Sequence, residues 1–231
     1  RGNVKELFAT SGEPGPVRGE ISDLYGEVGD ILGYLHHRHM RDRTPEDAAV
    51  RPLFDAALAR CAKEGWCDEA AQARLRGWGA TLDQGRVTFC HGDLYESQVI
   101  MGPDDRVAAF IDLDAAGYCD PASDLGQLLG HVLYVNPTSR EASWKVPAPS
   151  EGETLGTARQ VLLAYRATSG VPDERWPEFL ASVKAHTWLR MAELMIRYEG
   201  NPHAKAMVDG LVRNRARLTG DDPFAKLGEG L

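Results

Sequence analysis

From Glu20 onward, apolar residues return every three or four positions. Ile21, Leu24, Tyr25, Val28, Ile31, Leu32 and Leu35 form one stripe, which predicts an amphipathic helix. Pro45 opens a second helical stretch in which Val50, Leu53, Phe54, Ala57, Leu58 and Cys61 share a face, with Gly65 near its end. A short third helix is expected over 69–78. The period then changes. Residues 86–90 are β-branched and aromatic, and two short apolar runs, 98–101 and 106–111, flank Gly102-Pro103-Asp104-Asp105, the composition of a β-hairpin. Helical spacing resumes over 124–135. A loop rich in Pro, Ser and Glu is expected over 136–154, followed by helices near 155–168, 176–198 and 202–218. The class is α+β and predominantly helical, with one compact hairpin set among helices.

Composition narrows the function classes. The chain has 231 residues, 43% hydrophobic and 26% charged, the balance of a globular protein with a substantial core. A net charge of −8 argues against a nucleic-acid partner, which would call for a basic surface. No apolar run reaches the roughly 20 residues a membrane span requires. Cys61, Cys67, Cys90 and Cys119 form no C-x-x-C pair and no zinc spacing, which favours reduced thiols in a cytoplasmic protein over a disulfide scaffold. The run His36-His37-Arg38-His39 falls at a helix end, where cations favour the dipole, and fits no usual metal spacing.

The chemistry concentrates in one stretch. His91-Gly92-Asp93-Leu94-Tyr95-Glu96-Ser97-Gln98 follows a predicted strand, Phe110-Ile111-Asp112-Leu113-Asp114 ends the hairpin, and Asp120-Pro121-Ala122-Ser123-Asp124-Leu125 opens a helix. A hairpin returns the chain on itself, so it brings Asp112 back beside the loop carrying Asp93. Two carboxylates and an amide oxygen suit Mg²⁺, a hard cation that takes oxygen ligands. Phosphoryl transfer has the same needs: a cation on the phosphates and a carboxylate on the acceptor hydroxyl.

These segments resemble the H-G-D-x-x-x-x-N and I-D motifs of the aminoglycoside phosphotransferase and choline kinase-like family, within the protein-kinase-like superfamily. That resemblance implies a kinase-like C-terminal catalytic lobe over 20–231, preceded by a post-hinge segment and loop over 1–19, with an N-terminal nucleotide-binding lobe expected upstream. It makes Asp93 the catalytic carboxylate, Asp112 the principal Mg²⁺ ligand with Gln98 and Asp114 as further ligands, and Ile100 and Ile111 the floor of the nucleotide pocket. His91 and Asp124 become structural supports, Asp124 as the N-cap of its helix, worth about 1 kcal/mol. Leu35-His36 resembles a further recurrent pair. The implied reaction moves the γ-phosphoryl of ATP or GTP to a hydroxyl of an antibiotic, a sugar or an amino alcohol.

Two features depart from the family pattern. Gln98 stands where Asn is usual, which lengthens the side chain by one bond of about 1.5 Å, and Asp114 is placed to compensate. No G-x-G-x-x-G loop or strand lysine precedes the motif. The rival readings are a kinase-like binding or regulatory protein without activity, and a metal-dependent hydrolase that sets Asp93 and Asp112 on a water.

Overall fold

The computed structural model describes residues 18–135, 149–202, 208–211 and 222–227. The expected pieces over 4–8 and most of 202–218 lie outside these residues. Three helices come first: α1 (Arg18–His39), α2 (Arg51–Lys63) and α3 (Glu69–Gly79). Strands β1 (Thr88–Cys90), β2 (Val99–Met101), β3 (Val107–Phe110) and β4 (Gly117–Cys119) follow, then α4 (Ala122–Gly130), α5 (Glu151–Thr168) and α6 (Trp176–Arg197). No described helix is long and apolar enough to cross a membrane.

Two boundaries differ from the periodicity, each because of a cap. α2 begins at Arg51 with Pro52 in its first turn, not at Pro45, because the Asp83 carboxylate accepts the backbone N–H groups of Val50 and Arg51 at 3.0 and 2.8 Å. α5 begins at Glu151 rather than 155. Ser150 and Glu153 form a reciprocal capping box that draws the end of the expected loop into the helix.

The helices pack through glycines spaced four apart. On α1, a methyl group at Gly29 would overlap the Val161 carbonyl of α5, and one at Gly33 would overlap Thr168 and the Tyr165 carbonyl. On α4, Gly126 faces the backbone of His186 and Thr187 in α6, and Gly130 faces Met191. Spacing of four puts both glycines on one side of the helix, so each pair brings two backbones together. α6 lies between two hydrophobic clusters. Val183, Met191 and Leu194 join Val28, Leu32, Leu125 and Tyr165, while Ala185, Trp188 and Ala192 join Phe54, Leu58 and Leu75.

The expected hairpin is present as β2 and β3, antiparallel with Val99 opposite Phe110. A second pair was not foreseen: β1 runs antiparallel to β4, with Cys90 opposite Gly117 and Thr88 opposite Cys119. This pairing corrects the expectation of four reduced thiols. Cys90 and Cys119 form a disulfide, with Cα atoms 6.0 Å apart, while Cys61 and Cys67 are free and buried. The two residues are separated by 29 positions, so only the unforeseen strand reveals the pair.

Candidate active site

The H-G-D loop leaves β1 and is held from below by α4. The Asp124 carboxylate accepts the backbone N–H of His91 at 2.8 Å and of Gly92 at 2.9 Å, and also contacts His36 Nε2 at 3.3 Å. Asp124 is therefore not the N-cap of α4. It is the third residue of that helix, and the first helical N–H, that of Ala122, is taken by Asp120 Oδ1. Burial by itself would raise the pKa of Asp124. The hydrogen bond and charge of His36 and the two backbone N–H groups outweigh that and hold it below the ordinary carboxylate value.

His36 corrects a second expectation. It is 1% exposed, bonded to Tyr165 Oη and Asp124, and does not serve as a solvated cation at the end of α1. Gln127 completes the support, accepting Leu94 N–H at 2.9 Å and donating to the Gly92 carbonyl at 2.8 Å.

Three contacts join this loop to the turn after β3. His91 donates from Nε2 to the Ile111 carbonyl at 2.7 Å, while its Nδ1 faces the Asp93 N–H at 3.3 Å, so both ring nitrogens are committed to backbone. Gly92, at φ +85°, lies against the Ala115 carbonyl so closely that any side chain would collide with it. Gln98, buried in the 3₁₀ turn just before β2, donates from Nε2 to Asp112 Oδ2 at 3.0 Å. Asp112 itself adopts a left-handed conformation (φ 64°, ψ 57°) that turns the chain out of β3.

Asp93 is partly exposed, and its Oδ1 receives Arg190 Nη2 from α6 at 2.5 Å. Tyr95 senses the whole group: burial first, then the charges of Asp93, Glu96 and Asp112 against that of Arg190, raise its pKa and keep the phenol protonated. Asp93 and Asp112 thus act on one side chain.

Asp112 offers the hard carboxylate oxygens that a small divalent cation takes, whereas Gln98 turns its amide Nε2, not its Oε1, towards them. Asp114 sits on the exposed turn Leu113–Ala115 and makes no hydrogen bond or ion pair with either of them among the described residues. Ile100 and Ile111 share the outer face of the hairpin with Ala109, by strand alternation, and Ile111 is 42% exposed. Arg190 and Gln127 had no local signal in the sequence. They enter the site from helices 97 and 33 positions away from their partners.

Residues 3–183 match the model of the phosphotransferase enzyme family, and the chain belongs to that family. Among solved structures it is similar to a glucosamine kinase in complex with glucosamine, ADP and inorganic phosphate (19% identity, TM-score 0.60, 97% of this chain and 62% of that one). It is also similar to a macrolide 2'-phosphotransferase type I (21%, 0.55, 87% and 63%) and to a Plasmodium vivax ethanolamine kinase (12%, 0.53, 91% and 63%). At these identities the likeness concerns the fold. The chain spans less than two thirds of the length of each of the three. No curated protein matches the chain.

Proposed function

We propose that this chain carries the catalytic and metal-binding half of a Mg²⁺-dependent small-molecule kinase, which moves the γ-phosphoryl of ATP or GTP to an acceptor hydroxyl. The supporting observation is the joining of the H-G-D loop to the hairpin end, with Asp93 held by Arg190 and Asp112 held by Gln98. Asp93 receives the proton of the acceptor hydroxyl as that oxygen forms its bond to phosphorus and the bond to the leaving diphosphate breaks. Asp112 and Asp114 would hold Mg²⁺, joined by Gln98 once its amide turns Oε1 in place of Nε2 towards Asp112, and the bound cation would neutralise charge on the phosphates. His91 supports the loop through both ring nitrogens and takes no part in the proton transfer. Asp124 orients the loop backbone. Ile100 and Ile111 offer the apolar face on which the nucleotide base rests. Acceptors of the kinds named among the structural neighbours, a macrolide, an amino sugar or an amino alcohol, fit a hydroxyl acceptor beside Asp93.

The test is release of ADP or GDP over a panel of antibiotic, sugar and amino-alcohol acceptors, using the complete polypeptide that contains this chain. Turnover is expected to require Mg²⁺ and to fall by about 10²–10⁴-fold in Asp93→Asn. Full turnover in that variant would remove the assignment. Hydrolysis of a phosphate ester without nucleotide would replace the kinase with a metal-dependent hydrolase.

A further inference from the structure

Arg190 is a costly side chain to place where it stands. It projects from α6 with a side-chain exposure of 14%, against 37% for Asp93, and its Nε is buried with no hydrogen-bond partner. A buried guanidinium nitrogen without an acceptor is unfavourable. If the residue served only to fasten α6 to the loop, an uncharged pair would do so at lower cost in desolvation. Its contact with Asp93 is specific. Nη2 engages Oδ1, while no described residue takes Oδ2. One oxygen of the carboxylate is thus fixed and the other left open.

The surrounding charges suit that arrangement. Asp93 faces Arg190 from α6, and the charges of both act on Tyr95 in the loop and on Glu193 one turn further along α6. Glu193 has an exposed side chain, but crowding by protein raises its carboxyl above the ordinary value. Arg190, Arg197 and His186 oppose that rise and Asp93 adds to it. Glu96 and Asp112 complete the acidic groups that act on Tyr95. Arg190 is the cation in contact with the Asp93 carboxylate, so it decides which way that carboxylate points.

We infer that Arg190 is the positioning residue of the phosphoryl transfer: by holding Oδ1 it presents Oδ2 to the acceptor hydroxyl. This rests on the kinase reading of the same site. In the step itself, the acceptor O–H proton passes to Asp93 Oδ2 as the new O–P bond forms. The bond from the γ-phosphorus to the bridging oxygen breaks, and the nucleoside diphosphate leaves with the electron pair. Asp93 then returns its proton to water.

The test compares Arg190→Ala, Arg190→Lys and Asp93→Asn in the complete polypeptide, with the acceptor found by the panel. Arg190→Ala should lower kcat by about 10²-fold, the scale of a misplaced reacting group. KM for nucleotide and for the acceptor should stay unchanged, and added guanidinium ion should restore part of kcat. Arg190→Lys keeps the charge but not the planar fork, and should fall between the wild type and Arg190→Ala. A merely structural arginine would lower the melting temperature and would not answer to guanidinium. If Arg190→Ala fails to fold, the folded Arg190→Lys decides: an unchanged kcat overturns the inference. An inactive Asp93→Asn beside a fully active Arg190 variant also overturns it and leaves the kinase reading intact, whereas an active Asp93→Asn removes both.

Discussion

Asp124 offers the sharpest test of how the loop is held. In Asp124→Asn the side chain keeps its shape but has one acceptor oxygen for the two N–H groups of His91 and Gly92, which the carboxylate serves at 2.8 and 2.9 Å. One buried donor then faces an NH₂ group, which costs about 1–3 kcal/mol. The remaining bond and the contact to His36 lose their charge assistance. Together these give about 2–5 kcal/mol, a large part of the roughly 5–15 kcal/mol that holds a domain folded. Urea unfolding at pH 7, followed by fluorescence of the buried Trp176 and Trp188, measures it. The carboxylate sits below its ordinary pKa, so its contribution is present above the unfolded value of about 3.9 and is lost as the pH falls through the lower folded value. The wild type should therefore lose its advantage over the Asn variant in that acid window. Amide exchange at His91 and Gly92 should rise in the variant. Unchanged protection at both, with a stability loss under about 0.5 kcal/mol, would refute the account.

Other sites give simpler outcomes. Gly126→Ala places a methyl group against the backbone of His186 and Thr187, and thermal unfolding should show a loss of about 1–3 kcal/mol. Gly156→Ala, on an exposed and open position of α5, should gain about 0.5–1 kcal/mol in the same assay. A non-reducing peptide digest should recover the Cys90 and Cys119 peptides linked, and a reductant should lower the unfolding free energy by about 3–4 kcal/mol, given their separation of 29 residues. Cys61 should resist a thiol reagent at pH 8 until urea opens the fold, because burial, with a smaller push from Cys67, raises its thiol to about 12.

Much of this architecture could be read from residue order, and the misses have common causes. The three-and-four spacing of α1 and α6 was visible because each buries a continuous stripe, and the hairpin because Gly102-Pro103 separates two apolar runs. The motif residues lie within about thirty positions of one another, so their proximity follows from one hairpin. β4 was missed because Gly117-Tyr118-Cys119 is three residues long and carries no alternation. The disulfide went with it. The α2 boundary was misplaced because its cap, Asp83, comes from 33 residues away. Arg190 and Gln127 look like ordinary polar residues on helices. Only the packing of α4 and α6 under the loop turns them towards it, and no local pattern encodes that packing.

α6 also works as a ruler. Ser182 Oγ donates to Asp120 Oδ2 at 2.9 Å, His186 lies 3.6 Å from that same oxygen, and Arg190 takes Asp93. The three stand four residues apart on one side of an unbroken helix, spanning about 12 Å at 1.5 Å per residue. The end of β4 and the loop after β1 are therefore gauged against a single rigid edge. An added residue between His186 and Arg190 would swing one grip about 100° from the other, so the strand end and the loop carboxylate could no longer be held at the same time.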